Sequence, residues 1–258
     1  MLRILKQIII SATVLVFLFS CTTNEPTAPP EEETPDYFPN SEGTTYLFTI
    51  TESDSTGILR TGSRHIFYNS DTLINGTSYK FQKDSVNIGT EIDERIHNFR
   101  KSETGVFYFI DTSGFAAVLP DSLSGRMTIT SEMQSLLLLL AEGSFWQVFK
   151  VIIALQPGIT YAPYRITAAY VKEENVLLHL VSGDLNVAAQ KIKYELEYRL
   201  YPEEPSQKFT AFSWVADKIG IIKMDGNAMV VNTILLGEVN LNDSSKTITQ
   251  NLIDYKIP

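Results

Sequence analysis

The alternation of apolar and polar residues predicts that most of this chain forms β-strands. The clearest case is residues 191–200, KIKYELEYRL, in which charged and apolar side chains alternate over ten positions. A period of two turns one side of a strand toward a core and the other toward water. Residues 45–51 alternate similarly, with Tyr46, Phe48 and Ile50 on the predicted inner side. We therefore expect a mainly β fold.

The same pattern extends over most of the chain. It predicts further strands at residues 64–68, 78–86, 95–100, 106–111, 125–130, 145–153, 164–171, 176–181, 209–216, 219–224, 228–236 and 247–255. Asn75-Gly76 and Asp225-Gly226 predict tight hairpin turns, because type I′ turns need positive φ. Residues 103–105 and 172–175 are polar enough to be turns. Short connections of this kind imply antiparallel strand pairs.

One segment departs from the strand pattern. Ser131 and Gln134 have the spacing of a capping box, and the leucines of residues 136–140 precede Gly143, a residue type that ends helices. The sequence therefore predicts a helix over residues 132–142. Because this helix is apolar nearly all round, we expect it to be buried. We favour a plug on the concave side of the sheet, and a lid over an apolar cavity is the alternative.

The N-terminal residues indicate where the protein resides. Arg3 and Lys6 precede an apolar run over residues 8–19, and the composition becomes polar after Cys21. These are the features of a secretory signal peptide. As a helix the apolar run is about 18 Å long, against ~30 Å for a bilayer core, which argues against a membrane span. We predict that residues 1–20 are a signal peptide.

A tether and one folded domain are predicted after the signal. Residues 22–36 hold four prolines and five acidic residues and show no apolar periodicity. Such a stretch cannot bury enough surface to offset the entropy of ordering, so we predict disorder over residues 21–36. An export or sorting signal is the alternative role for the acidic residues. Residues 37–258 contain no second proline-rich linker, which predicts a single mainly β domain.

Residues 18–21, Leu-Phe-Ser-Cys, resemble the lipobox of bacterial lipoproteins, and Cys21 is the only cysteine. The resemblance implies that Cys21 receives a diacylglyceryl thioether, becomes the mature N-terminus and is acylated on its amine. Acyl chains contribute about 0.8 kcal/mol per buried CH₂, so several give stable anchoring. The implied location is the envelope of a Gram-negative bacterium, with the outer membrane preferred over the inner. The alternatives are an ordinary signal peptide with a chance cysteine, or a single N-terminal anchor helix.

Three further motifs resemble a family of uncharacterised bacterial envelope lipoproteins. They are Tyr37-Phe38-Pro39 with the following residues 43–48, the DTLINGTSY stretch of residues 71–79, and the WVADKIGIIK stretch of residues 214–223. The resemblance implies a strongly curved antiparallel sheet or half-barrel around an apolar interior, similar to lipoprotein carriers. It implies no catalytic residue, because the motifs contain turn residues and core aromatics.

Charge and motif content argue against several classes of function. Without the signal peptide the chain has 19 basic and 30 acidic residues, a formal charge of −11, which argues against nucleic-acid binding. His65, His97 and His179 lack metal-ligand spacing, and no G-x-S-x-G or phosphate-binding motif occurs. We therefore predict no catalytic residue, no metal and no cofactor.

Two hypotheses of function follow. We favour a non-enzymatic lipoprotein that binds a protein, a glycan or an apolar ligand, with the membrane as a partner through the lipid on Cys21. The alternative is a lipid-anchored hydrolase acting on envelope or extracellular substrates. Trp146, Tyr161, Tyr164 and Trp214 are the aromatic residues proposed to line a ligand site. Histidines or carboxylates in contact at the floor of a cleft would favour the hydrolase, and a smooth apolar cavity would favour binding.

Overall fold

Thirteen antiparallel strands form one sheet. The computed structural model describes residues 34–110, 126–236 and 244–258, and Pro35–Pro258 form a compact unit. The strands are β1 Thr45–Ser53, β2 Leu59–Ile74, β3 Thr77–Ile88, β4 Glu91–Lys101, β5 Gly105–Phe109, β6 Met127–Ile129, β7 Glu132–Leu137, β8 Phe145–Gln156, β9 Ile159–Leu180, β10 Gly183–Tyr198, β11 Gln207–Ala216, β12 Gly220–Asn227 and β13 Thr247–Lys256. This confirms the mainly β prediction. The predicted signal peptide, Cys21 and the tether as far as residue 33 lie outside the described residues.

The sheet is strongly curved. Its order is β6-β8-β9-β10-β11-β12-β13-β1-β2-β3-β4-β5-β7, so the pairing of β13 with β1 joins the two halves of the chain. Strands from the two edges of the sheet approach each other. Trp146 Nε1 in β8 donates a hydrogen bond to the backbone oxygen of Gln134 in β7 (3.2 Å). The curvature gives the sheet an inner face, which holds most of the core, and an outer face.

A buried helix, α1 (Ala228–Leu236), occupies the inner side of the sheet. It packs against β10 to β13, and its residues 228–231 and 233–235 are all buried. Asn227 caps the helix, since its Oδ1 accepts a hydrogen bond from Met229 N (3.1 Å). The Thr233 hydroxyl lies 3.3 Å from the Tyr164 hydroxyl of β9. The concave side is therefore filled by a helix, as expected, although by a different segment.

The prediction of a helix over residues 132–142 is wrong. Residues 132–137 form β7, whose register with β5 pairs Phe107 with Gln134 and Tyr108 with Met133. The chain bends at residues 138–139, and Leu139 is exposed. The capping-box spacing is a local signal, and the pairing with β5 outweighs it. The question of plug or lid therefore applies to α1 and not to this segment.

The prediction of a strand over residues 228–236 and of a hairpin at Asp225-Gly226 is also wrong. This apolar run is α1, and Gly226 lies within β12 with φ 139°. A Cβ atom on Gly226 would lie 2.5 Å from Ala211 Cα, so glycine is needed there for close approach of two strands. A continuous apolar run has the same pattern in a buried strand and in a buried helix, which explains the error.

Residues 172–175 do not form a turn. They continue β9, which unites the two predicted strands at 164–171 and 176–181, and a β-bulge opposite Lys191/Ile192 marks the place. Beyond the bulge, residues 172–190 of β9 and β10 form a hairpin arm. Its tip reaches β13, four places away in the sheet, where Val181 N donates to the backbone oxygen of Ile253 (2.8 Å).

The other turn predictions are confirmed. Asn75 and Gly76 both have positive φ, 50° and 82°, in the two-residue connection of β2 and β3. Ser102 N donates to the backbone oxygen of Gly105 across the turn that joins β4 and β5 (2.9 Å). Residues 217–219 also turn the chain, between β11 and β12. Within the three described ranges, no helix is long and apolar enough to cross a membrane.

The contacts of the domain begin just before its predicted start at residue 37. The Asp36 carboxylate lies 2.6 Å from Lys101 Nζ, and the Asp36 backbone oxygen accepts a hydrogen bond from Lys218 N (2.8 Å). Asp36 N in turn donates to Asp217 Oδ1 (2.6 Å). Asp36 is therefore held against the β11–β12 turn and the end of β4.

Candidate functional site

The four aromatic residues proposed for a ligand site do not converge. Trp146 contacts Gln134 of β7, and the Tyr161 hydroxyl donates to the backbone oxygen of Leu200 (2.7 Å). Tyr164 faces α1 through Thr233. All four are buried, with 4–8% of their surface exposed. Their partners lie on four different parts of the fold, so their main role is packing.

Trp214 lies on the outer face, on the opposite side of the sheet from Tyr194. Its neighbours across the sheet are Lys191 and Lys223, whose ammonium groups lie 4.6 and 4.8 Å from its ring centroid. Its Nε1 donates to Glu174 Oε1 of the hairpin arm (2.5 Å). Hydrogen bonds from Lys172 and then Trp214 lower the pKa of Glu174 to about 2. This cluster fastens the arm to the outer face.

A charged cavity on the inner face is the strongest candidate for a functional site. It has a volume of about 250 Å³ and lies where β13, β1, β2, β3 and β4 pass Asn232 of α1. Its lining is unusual for the inside of a sheet, because most of the residues are charged or polar. They are Glu52, Arg60, Arg64, Glu91, Asp93, Arg95, Asn232, Lys246 and Gln250, together with the aliphatic Ile50, Val86, Ile88 and Ile248.

A buried ion pair forms the floor of the charged cavity. Arg64 and Asp84 are 2% and 1% exposed. Arg64 Nε donates to both oxygens of Asp84 (3.0 and 2.9 Å), its Nη2 donates to Asp84 Oδ2, and its Nη1 donates to Gln250 Oε1 (3.3 Å). Asp84 therefore neutralises Arg64 from below, and Gln250 extends the network toward β13.

Further ion pairs line the wall and the mouth of the charged cavity. Glu52, whose side chain is 10% exposed, accepts hydrogen bonds from Arg60 Nε (3.1 Å) and Arg60 Nη2, and Lys246 Nζ lies 3.8 Å from it. Arg60 also reaches Glu91 at the mouth (3.2 Å), where 75% of the Glu91 side chain is exposed. The charged side chains therefore extend from a buried floor to a solvent-exposed mouth.

His97 lies close to the floor, in β4. Its side chain is buried, and its Nε2 has no hydrogen-bond partner among the described residues. Burial is the main cause that lowers the pKa of His97 to about 4, so the imidazole is neutral at pH 7. Arg64 and Asp84 act on it with opposite sign.

This arrangement is suited to recognition more than to acid–base chemistry. Each carboxylate lining the cavity, Glu52, Glu91 and Asp93, lies within 3.2 Å of an arginine. No hydrogen bond among the described residues joins His97 to a carboxylate. The part of the chain that the structure describes also contains no group of three metal-ligating side chains. The cavity therefore combines paired charges with aliphatic walls, and it is not the smooth apolar cavity expected of a lipid carrier.

The sequence does contain a signal for the charged cavity. Arg64 is in phase with Ile66 and Tyr68 in β2, and Asp84 is in phase with Gln82 and Val86 in β3. A charge at a position that should face the core is rare unless it is paired. The partner of each charge lies on a neighbouring strand, so the pair becomes visible only when the register is known.

Two larger depressions are open at the surface. One, of about 600 Å³, lies between the tip of the hairpin arm and the end of β13. The other, of about 390 Å³, lies between β7 and β8, where Glu132 is held by Arg100 (2.5 Å) and by the Tyr79 hydroxyl (2.5 Å). Neither depression combines buried charge with aliphatic walls as the charged cavity does.

Comparison with known proteins gives structural similarity only. No family model matches the chain. No curated protein sequence matches it either. A proposed lipoprotein from Parabacteroides distasonis is 11% identical over 87% of this chain and 100% of its own, with a TM-score of 0.46. A proposed exported protein with a YmcC-like fold from Bacteroides fragilis is 14% identical over 86% and 99%, with a TM-score of 0.44.

A third solved structure is more distant. The hypothetical lipoprotein YmcC from Escherichia coli is 10% identical over 81% of this chain and 84% of its own, with a TM-score of 0.31. Similarities of this extent support no inference about function.

Proposed function

We propose that this protein is a lipid-anchored lipoprotein of the cell envelope, and that its folded domain binds a small polar ligand in the charged cavity without catalysing a reaction. The observation that carries the binding role is the set of ion-paired side chains on the inner face of the sheet. The lipobox-like residues 18–21 and the single Cys21 support the anchor.

Energetics support a role in recognition. A buried ion pair such as Arg64–Asp84 loses much hydration energy, and apolar residues of similar volume are often as stabilising or more so. Stability alone therefore does not account for four cations and four carboxylates in and under one cavity. A ligand that needs preorganised charges does account for them.

An apolar ligand is less well supported than a polar one. The concave side of the sheet, where a lipid carrier would hold its ligand, is filled by α1 and by core residues such as Tyr164, Tyr194 and Ile234. The charged cavity is also smaller than the roughly 300–1,000 Å³ of pockets that enclose drug-sized ligands.

Native mass spectrometry tests the binding role. The full chain carrying Cys21→Ala, purified from its own envelope without denaturation, is expected to retain a bound small molecule. Glu52→Gln in the same background should lose it, because this change removes a charge from the cavity wall. Glu94→Gln should keep it, since Glu94 lies outside the cavity lining and is 57% exposed. Absence of an adduct, or an adduct that survives Glu52→Gln, would contradict the proposal.

The anchor is tested separately. The unmodified chain is expected to incorporate palmitate and to sediment with the outer-membrane fraction of its host, and the Cys21→Ala chain should do neither. Incorporation of labelled palmitate into the Cys21→Ala chain would disprove the assignment of Cys21.

A further inference from the structure

The floor of the charged cavity contains a hydrogen-bond donor without a partner. Gln250 is 1% exposed, and its Nε2 forms no hydrogen bond in the part of the chain that the structure describes. Arg64 carries only donors, so the oxygen of the Gln250 amide must face Arg64 and the nitrogen must face away. A buried donor without a partner destabilises the protein, and a ligand acceptor would remove that cost.

In the wall of the cavity, only one oxygen of the Glu52 carboxylate accepts hydrogen bonds from the described residues. The hydrogen bonds that Glu52 accepts from Arg60, and the close approach of Lys246, all involve Oε1. Oε2 of Glu52 accepts no hydrogen bond from the described residues. A carboxylate offers about four lone-pair sites, so Oε2 is suited to a donor carried by the ligand.

The register of β1 and β13 places these two residues beside each other. Glu52 is opposite Ile248 and Ile50 is opposite Gln250, and all four residues line the cavity. Glu52 and Gln250 are therefore diagonal neighbours on one face of the sheet, so their long side chains can both reach one compact ligand. The other diagonal, Ile50 and Ile248, supplies an aliphatic surface.

Charge and volume narrow the class of ligand further. Among the described residues, four cations line the cavity, and three lining carboxylates together with Asp84 equal them in number. The cations are Arg60, Arg64, Arg95 and Lys246, and the lining carboxylates are Glu52, Glu91 and Asp93. A ligand with a net charge would upset this balance, whereas a zwitterion would not. The volume of 250 Å³ corresponds to about eight waters at ~30 Å³ each, which suits a compact molecule.

From these observations, and on the basis of the function proposed above, we infer that the charged cavity binds a zwitterionic aliphatic α-amino acid. The carboxylate accepts hydrogen bonds from Gln250 Nε2 and the Arg64 guanidinium at the floor. The ammonium donates to Glu52 Oε2, and the aliphatic side chain packs against Ile50, Ile248 and Val86. No atom of the protein is required to change its protonation state.

Titration with three matched probes tests this inference. The probes are L-leucine, 4-methylpentanoate, which lacks the ammonium, and 3-methylbutylamine, which lacks the carboxylate. Nitrogen-15 NMR of the full chain carrying Cys21→Ala follows the side-chain signals of Gln250 and Arg64. L-Leucine is expected to shift both signals in a saturable way at millimolar concentration or below. Each analogue should bind about tenfold more weakly, because it leaves one buried group unpaired.

A variant separates the role of Glu52. Glu52→Gln should weaken the binding of L-leucine about tenfold and should not weaken that of 4-methylpentanoate, because this probe has no ammonium and the cavity loses a negative charge. Glu94→Gln should change neither affinity. Equal affinity for L-leucine and either analogue, or no shift with L-leucine, would overturn the inference. If a Glu52-dependent adduct of another class is then found by native mass spectrometry, the proposed binding function stands and only the ligand class is wrong.

Discussion

Removal of one partner from the buried Arg64–Asp84 pair should destabilise the domain more strongly than removal of both. Asp84→Leu replaces the carboxylate by an apolar group of similar size and leaves Arg64 charged. A guanidinium keeps its positive charge in proteins, and the Arg64 side chain is 2% exposed. Its charge would then remain buried with only the neutral Gln250 amide in hydrogen-bond contact.

The expected magnitude follows from the loss of compensation. Breaking a buried pair by removal of one partner costs about 3–5 kcal/mol, because an unpaired charge remains in the interior. Arg64 donates to Asp84 from both Nε and Nη2, so the pair is bidentate and lies at the strong end of such contacts. Combining Asp84→Leu with Arg64→Met removes both charges, and the double variant should lie within about 1–2 kcal/mol of the unchanged chain.

Urea unfolding followed by circular dichroism measures these free energies. The chain carrying Cys21→Ala serves as the reference, and Glu94→Gln serves as the control. Glu94 of β4 pairs with Lys83 of β3 at 3.4 Å, but their side chains are 57% and 54% exposed. Loss of such a surface pair should cost at most about 1 kcal/mol. Equal slopes of the unfolding free energy against urea would show that the variants share one unfolded state.

Two results would refute this reasoning. If Asp84→Leu costs no more than Glu94→Gln, the Arg64–Asp84 pair is hydrated and the floor of the cavity is not dry. If the double variant is as unstable as Asp84→Leu alone, the cost comes from lost packing and not from an unpaired charge. A double variant that is stable but no longer binds L-leucine would show that the charges serve recognition.

Three further predictions concern other parts of the molecule. Ile234→Ala in α1 should cost about 2–5 kcal/mol in urea unfolding, whereas Leu73→Ala at an exposed hairpin should stay within about 0.5 kcal/mol; equal costs would contradict the plug. The folded-state pKa of His97, about 4, lies below its ordinary 6.5. The contribution of the neutral imidazole to the free energy of unfolding is therefore complete above pH 6.5 and is lost as the pH falls to 4. This loss is at most about 3 kcal/mol and should be absent from His97→Gln. Chelators should change neither the melting temperature nor the affinity for L-leucine, and a chelator-induced fall in either would reveal a metal site.

The strands could be predicted from the sequence because apolar and polar residues that alternate along the chain become buried and exposed positions that alternate along a strand. In β10 the inward residues Ile192, Tyr194 and Leu196 are all buried, as the alternation requires. The turn at Asn75-Gly76 was predictable for a local reason, since both residues need positive φ. Features that depend on one strand or one turn can therefore be predicted from the sequence without knowledge of the fold.

The exchange of helix and strand between residues 132–142 and 228–236 has a different cause. Residues 228–236 are an apolar run that is buried on more than one side, and residues 136–140 are five successive leucines, so neither segment shows a clean period. The capping signal at Ser131 favoured the wrong segment. The residue that does cap a helix is Asn227, which also donates through Nδ2 to the backbone oxygen of Ser244 (2.7 Å). That contact ties the start of α1 to a segment 17 residues further on, which a local pattern cannot show.

The charged cavity required the register of five strands and could not be located from one of them. Each strand contributes a charged or polar residue at an inward position: Glu52 in β1, Arg64 in β2, Asp84 in β3, Arg95 in β4 and Gln250 in β13. One such residue in isolation is an error in the pattern. Five that the sheet places side by side form a site, because only pairing makes buried charge tolerable.

The charged residues at these inward positions are costly to bury, and a role in binding explains why they are present. Phe48 and Ile66 show that β1 and β2 can supply large apolar side chains at inward positions near the cavity. Apolar residues at Glu52, Arg64 and Asp84 would extend that core at no cost in desolvation. The charged side chains instead line a cavity of about 250 Å³ that larger apolar side chains could have filled. A cavity whose charges are costly to desolvate is best explained by a ligand that fills it and satisfies Gln250 and Glu52.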